Sequence, residues 1–538
     1  MASTWAFEAQ GPGSIPGGGA ISEAAREQWW RSDIGLTRST NPLFKRDKQG
    51  RSRSLNRLNV AIVLAAGEGT RMKSATPKVL HTIAGKTIIN HVLEAIEPLS
   101  AEHLRVVVGA HREAVENHVH EISPAASTIF QAERNGTGHA VQIALEGLSA
   151  TGTVLILAGD TPLITSDTLV DFYAAHLEGQ NDVSVLTALL PDPFGYGRIL
   201  RDESGALAGI VEERDADEDE QLIEEVNTGI YLFDLDALRN AISQITTDNS
   251  QGELYLTDVI SLIHVSGGST AAILTTDYTE TLGINDRGQL AEAWAIMRDR
   301  INEFHMQSGV AIVDPTTTWI DASVTIEADA TIYPGTALLG ETHISTCAII
   351  GPRSTLTDVR VGAGASVIES NCAGSDIGAG VKVGPYSFLR AGTVLGDNSK
   401  AGAFVEIKNS TVGEGSKVPH LSYVGDATIG KGTNIGAATI FVNYDGVTKN
   451  RIEIGDQVRI GSDTMLVAPI SVGDGAYTAA GSVITEDVPA GSMGVARARQ
   501  RNILGWVLRK RSGTKSAEVA LRAGASESAP QKENGEQA

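Results

Sequence analysis

Beyond Val310 an aliphatic residue returns at every sixth position. Ile320, Ile326, Ile332, Leu338, Ile344, Ile350 and Leu356 keep that step without a break. The register slips and then resumes as Ile377, Val383, Leu389, Leu395, Ala401 and Ile407. It returns again as Val412, Val418 and Val424, as Ile429 and Ile435, and finally as Ile454, Ile460, Leu466 and Val472. Glycine often follows, as in "IGAGVKVGPYSF" and "IGKGTNIGAATI". A period of six predicts a parallel β-helix: each six residues make one short strand and a turn, and three such units close a triangular coil with the aliphatics stacked inside.

Upstream the pattern differs. From Val60 to about Asp286, apolar runs such as "VAIVL", "HLRVVVGA", "TVLILAGD", "DVSVLTALL" and "TGIYLFDL" alternate with helical spacing in "IINHVLEAIEPL" and "GHAVQIALEGL". Alternation of this kind predicts an α/β sheet covered by helices, with ligands at the carboxyl ends of the strands. Leu290, Trp294, Met297, Ile301 and Phe304 then recur at steps of four and three, which predicts one helix packing an apolar stripe on a neighbour. The expected organisation is a disordered extension over 1–57, an α/β domain over 58–286, a linker helix over 287–309, a β-helix over 310–505 and a disordered tail over 506–538.

Composition narrows the function. A chain of 538 residues is too long for one core. Its formal net charge of −22 argues against a general nucleic-acid or anionic-membrane binder, although small phosphorylated molecules need only a local cationic pocket. Cys347 and Cys372 cannot build a disulfide framework and are expected to be buried free thiols. No apolar run approaches the roughly 18 residues that would span a bilayer, and the first residues lack a basic start followed by an apolar core. A cytoplasmic location is expected.

The run "VAIVL" opens into "LAAGEGTRM". In this loop Gly67 and Gly69 are too close together for a P-loop, and Met72 stands where a dinucleotide fingerprint needs its third glycine. What remains is a strand, a Gly-x-Gly turn offering N–H donors to phosphate, and two cations, Arg71 and Lys78. "LAGDTPL" puts Asp160 at the end of an apolar strand, where a carboxylate can hold Mg²⁺ or simply cap a helix.

This "LAAGxGTRM…PK" pattern resembles the sugar-1-phosphate nucleotidyltransferases. With "QAERNGTGHA", "GYGRI", "GIVEERD", "VNTGI" and "GINDR" in this order, the chain is similar, from about Val60 to Arg499, to the bacterial bifunctional N-acetylglucosamine-1-phosphate uridyltransferase/glucosamine-1-phosphate N-acetyltransferase family. The resemblance implies a Rossmann-like nucleotidyltransferase domain, a linker helix and a left-handed parallel β-helix of hexapeptide repeats. It implies UTP held by Leu64, Ala65, Ala66, Gly67, Gln131, Gly136 and Thr137, with Arg71 and Lys78 on the triphosphate. Asp160 and Asn285 would bind Mg²⁺, while Gly197, Glu212 and Asn227 would hold the sugar phosphate. One departure is Ala158, where many relatives carry Tyr or Ser.

The β-helix is irregular around "KVPHLSYVGD" and "VNYDGVTKN", where His420, Lys408, Tyr423, Asn434 and Lys449 gather polar and cationic chemistry. An imidazole suits deprotonating an amine, and a cation suits a sugar phosphate. By the same resemblance His420 is the general base, with Glu406 a candidate to orient it, and Arg390, Lys408, Tyr423 and Asn434 hold glucosamine 1-phosphate. Ala437, Asn443, Tyr444, Ser462, Ala480 and Arg497 line acetyl-CoA, and Ala391 replaces a proline usual in relatives. The resemblance also implies a cytoplasmic homotrimer serving peptidoglycan synthesis, acting on small molecules and on neither nucleic acid nor membrane. Two alternatives are a related pyrophosphorylase whose β-helix serves only assembly or regulation, and a non-catalytic assembly or exchange-factor subunit. His420 argues against the first; Arg71, Lys78, Asp160 and His420 together argue against the second.

Overall fold

The computed structural model describes residues 57–109 and 111–526, with the backbone of a short antiparallel pair, Phe44–Arg46 and Ser52–Ser54. The disorder expected elsewhere in 1–56 and in 527–538 lies outside the described residues. The chain divides into two units, 1–81 with 88–286 and 82–87 with 287–538.

The first unit is built on a nine-stranded mixed sheet. Its strands are β1 (Val60–Ala65), β2 (His103–Val108), β3 (Ser127–Phe130), β4 (Thr153–Ala158), β5 (Val183–Leu189), β6 (Arg198–Arg201), β7 (Leu207–Val211), β8 (Glu225–Asp234) and β9 (Thr270–Leu274). Four parallel strands run in the order β3-β2-β1-β4. The long β8 then pairs antiparallel with β4, β5 and β6, and β9 runs parallel to β5. Because side chains alternate across a strand, Ala61, Val63 and Ala65 of β1 pack with the helices Ile88–Ile96 and Ser166–Gly179. Val60 and Ile62 pack on the other face, with helices Thr137–Leu145 and Leu235–Ile242. Both faces are covered, which is why the central strands read as unbroken apolar runs.

In the second unit the hexad positions named above are all buried in one continuous core. Three parallel sheets of seven, ten and nine strands form the walls. Successive coils pair in register, as Thr331 with Ile349 and Ala337 with Thr355. The slip after Leu356 shortens coils without interrupting the stack: Thr355 pairs with Asn371, and Val361, Val367 and Cys372 carry the core onward. Burial there pushes the Cys372 thiol up to about 12. Cys347, expected to be buried, is exposed.

The helix Arg287–Gln307 forms as expected, but its inward face is rotated from the predicted stripe. Ala293, Asn302 and His305 are buried, whereas Phe304 is 63% exposed. Asn302 takes an inner place because its amide donates to the carbonyls of Pro315 (2.9 Å) and Thr318 (3.0 Å), closing the first coil. Ile301 packs on the β-helix core, and Trp294 rests edge-on against Trp319 and donates to Thr82 O. Within the supposed disordered tail, Trp506–Lys510 and Lys515–Arg522 are helical, with Leu508 and Ala517 buried and Thr514 capping the second helix.

Candidate active sites

The carboxyl ends of β1 and β4 lie side by side where the strand order reverses, which is the binding crevice of open α/β sheets. After β1, Gly69 adopts φ 64° and leads into the short turn Thr70–Met72. A Cβ on Gly69 would stand 2.7 Å from the Lys78 Cβ, so this turn packs directly on the root of the lysine. The Lys78 ammonium donates to Asp160 Oδ2 and, at 3.1 Å, to Asn285 Oδ1. The Ile284 N–H donates to the Asp160 carbonyl (2.9 Å), which ties the segment carrying Asn285 to the end of β4. Residues distant in sequence thus meet in one cluster. Arg71 stands exposed on the turn, with no hydrogen bond or ion pair to that cluster. Gly69→Ala should cost about 1–3 kcal/mol of stability and displace Lys78 from its place beside Asp160; urea unfolding measures the first effect and the rate of the expected nucleotidyl transfer, lowered several-fold, the second.

Gln131 is buried beside this crevice, its amide nitrogen engaged by Gly136 O (3.3 Å) and His139 Nδ1 (3.2 Å). The Thr137 hydroxyl accepts from Leu256 N–H (3.1 Å) and so helps hold the 249–256 segment. Arg134 pairs with Glu68 at 2.6 Å, joining the two loops. The sequence marks neither Arg134, in an aperiodic loop, nor His139, a polar position in the first turn of the helix Thr137–Leu145.

The structure brings the three residues expected at the sugar phosphate close to one another. Asn227 N–H donates to Gly197 O (2.8 Å), and Glu212 Oε2 lies in ordinary contact range, 3.5 Å, of where a Cβ on Gly197 would stand; that Cβ would meet Ile210 Cγ2 at 2.9 Å, so the strand packs closely there on a glycine. Burial pushes the Glu212 carboxyl up, while a hydrogen bond from Thr257 (3.1 Å) opposes the shift. Asn227 also donates to the Tyr231 hydroxyl at 2.8 Å. Burial, then the nearby Glu212, raises the pKa of that phenol.

In the second unit, His420 ends the strand Lys417–His420 at a corner of the prism. Backbone bonds from Leu421 to Ala403, Ala438 to His420, Asp463 to Ala437 and Gly481 to Ser462 stack these corners coil upon coil. His420, Ala437, Ser462 and Ala480 therefore form one column. The residue after each has positive φ: Leu421 51°, Ala438 59°, Asp463 58° and Gly481 72°.

On the adjoining wall, Glu406 pairs in register with Tyr423, and Lys408 with Gly425. Arg390 donates to Glu406 (3.0 Å), so Glu406 serves Arg390 and not His420, contrary to expectation. Asp426 accepts from Asn409 (2.7 Å) and Asn443 (2.6 Å) and lies 4.0 Å from Lys408. Burial works against the Asp426 carboxylate, but those bonds and the charges of Lys408 and Lys449 hold it below the ordinary range. Lys449 is pushed down by its contact with Lys408 and the charge beside it. Lys408 and Lys449 thus stand side by side next to Asp426. Tyr444 folds onto its own loop through Gly446 O (2.7 Å), and Arg497 is exposed. Asn434 stands on a different wall, bridged to Lys417 and Arg459, apart from Arg390, Lys408 and Tyr423.

An α/β sheet with a lysine–carboxylate–amide cluster at its switch point, followed by a hexapeptide prism bearing a histidine corner, defines a nucleotidyltransferase joined to an acetyltransferase. Residues 61–223 match the MobA-like NTP transferase domain. The bifunctional protein GlmU of Streptomyces avermitilis is 54% identical over 86% of this chain and 97% of its own length. The proteins of that name from Streptomyces coelicolor and Mycolicibacterium gilvum are 53% and 52% identical, each over 85% of this chain and over 96% and 93% of their own lengths. The chain belongs to the GlmU family of bifunctional proteins.

Proposed function

We propose that the first unit transfers uridylyl from UTP to N-acetylglucosamine 1-phosphate, and that the second acetylates glucosamine 1-phosphate with acetyl-CoA. The chain is a bifunctional enzyme of UDP-N-acetylglucosamine synthesis. What carries the division of labour is that the Lys78–Asp160–Asn285 cluster and the His420 column each lie wholly within one unit.

For the uridylyl step, an oxygen of the sugar phosphate attacks the α-phosphorus of UTP while the bond to the leaving pyrophosphate breaks in line. Lys78 and Arg71 supply positive charge to the triphosphate, and the Gly67–Gly69 backbone lies against its oxygens. Gln131, its nitrogen held, turns its oxygen toward a pyrimidine N–H, with Gly136, Thr137 and the Leu64–Ala66 backbone completing the nucleotide pocket. Gly197, Glu212 and Asn227 orient the sugar, Glu212 as an acceptor from its hydroxyls. Asp160 and Asn285 are hard oxygen donors whose shared space already accommodates a cation, the Lys78 ammonium, so the pair fits Mg²⁺. Among the described residues no group of three or more His, Cys, Asp or Glu could hold a metal unaided, so phosphate and water oxygens would complete the shell. When bound, the ion would neutralise charge developing on the phosphates.

For the acetyl step, His420 takes a proton from the glucosamine amine. The amine nitrogen forms its bond to the thioester carbon, and CoA departs as the thiol. Arg390, Lys408 and Lys449 attract the sugar phosphate, and Tyr423 bounds the pocket. Ala437, Ser462 and Ala480 offer a small-residue groove leading away from His420 for acetyl-CoA, with Asn443, Tyr444 and Arg497 beside it.

A homotrimer is supported by two observations. Tyr386, Phe404 and Leu421 occupy successive corners at positive φ and are 55%, 58% and 58% exposed, an apolar ridge unusual on a surface. Asn434 lies on a wall apart from the other sugar-phosphate residues, so a second copy could bring it to them. No described helix is long and apolar enough to cross a membrane, and a cytoplasmic enzyme supplying peptidoglycan synthesis fits the substrates. Purified protein given glucosamine 1-phosphate, acetyl-CoA, UTP and Mg²⁺ should yield UDP-N-acetylglucosamine, CoA and pyrophosphate; failure of either half-reaction with its own substrates would overturn that assignment.

A further inference from the structure

Asp160 Oδ2 and Asn285 Oδ1, the two oxygens assigned above to a divalent cation, both accept from one ammonium, that of Lys78. The arrangement is built, not incidental. The lysine and aspartate side chains are only 12% and 21% exposed. Gly69 packs on the lysine Cβ, and the Ile284–Asp160 backbone bond holds Asn285 in line. A half-buried carboxylate is costly unless paired, and Lys78 supplies that pairing within the chain itself. An ammonium and a divalent ion sharing these two oxygens would stand next to each other in a half-buried site, where two cations repel strongly.

A triphosphate changes the balance. Its oxygens give the ammonium a more negative partner at the adjacent Gly67–Gly69 turn. We propose that Lys78 is a resident occupant of the metal position, excluding divalent ions from the nucleotide-free enzyme and surrendering Asp160 and Asn285 when a nucleoside triphosphate draws it away. This rests on the reading of Asp160 and Asn285 as metal ligands. Metal and nucleotide binding are then coupled, each favouring the other through one side chain that moves between two partners.

Titrating full-length protein with Mn²⁺ in the absence of nucleotide, and following free Mn²⁺ by electron paramagnetic resonance, tests the exclusion. Lys78→Met should bind Mn²⁺ on the order of tenfold more tightly than the wild type. Lys78→Arg, which keeps a cation in place, should stay close to the wild type, and circular dichroism melts verify that each variant is folded. Adding Asp160→Asn to Lys78→Met should remove the gained binding. If wild type and Lys78→Met bind Mn²⁺ equally while Asp160→Asn weakens both, exclusion by Lys78 is overturned and the metal ligands stand. If the binding gained in Lys78→Met survives Asp160→Asn, the ligand assignment fails and the proposal falls with it.

Discussion

Replacing Asp160 by alanine is expected to lower uridylyl transfer by about a thousandfold, roughly 4 kcal/mol of transition-state stabilisation, and to leave acetyl transfer at the wild-type rate. The carboxylate is the anionic member of the cluster at the switch point, and its loss strips Lys78 of its partner and, on the proposed function, removes one of the two oxygen donors offered to the metal. Asn285 alone cannot compensate, because a neutral amide oxygen binds a hard cation far less well than a carboxylate. Supplied with glucosamine 1-phosphate, acetyl-CoA and UTP, the variant should accumulate N-acetylglucosamine 1-phosphate and release little pyrophosphate. Separate measurement of CoA and pyrophosphate distinguishes the two steps. Loss of both activities in a folded Asp160→Ala protein would mean that the two sites are not independent.

His420→Ala should give the complementary result. Acetyl transfer should fall by about 10²- to 10⁴-fold, the range expected for a lost general base, while uridylyl transfer persists. Product formation should return in full when N-acetylglucosamine 1-phosphate is supplied. His420 is exposed and ends its strand at the corner, so the substitution leaves the interior aliphatic stack intact and should barely alter unfolding. Full acetyl transfer by His420→Ala would remove the histidine from the mechanism.

How much of this was legible beforehand follows from the range of each interaction. The hexad is a local repeat, so Ile320 through Leu356 announced their burial one after another, and the shortened coils at Val361 and Cys372 hid only their register. The apolar runs of β1 and β4 announced a two-sided sheet. Lys78 and Asp160, separated by 82 positions, carry no sign in the sequence that they touch. Lys449 sits in an irregular insertion, and only the fold brings it to Lys408. Glu406 finds Arg390 instead of His420 because Phe388 is its register partner on the preceding coil, and that pairing, invisible in the sequence, brings the nearby Arg390 side chain within 3.0 Å. Asn302 and His305 defeat a stripe drawn from hydrophobicity because Asn302's place is set by two carbonyls that need a donor, a demand no apolar side chain meets.

The walls of the prism also make length a quantised property of this enzyme. Each coil bonds only to the coil above and below, so stability accrues roughly coil by coil. The ten strands of the longest wall, spaced about 4.8 Å apart, set a ruler of about 43 Å. Extra residues can leave the path between strands, as those between Asn443 and Asn450 do, and the next rung still pairs Ile440 with Met465. A whole coil can therefore be gained or lost during evolution with every wall still in phase, whereas a fraction of one would turn the His420 corner away from its column. The spacing between the histidine and the rest of its site is thereby free to change only in whole steps.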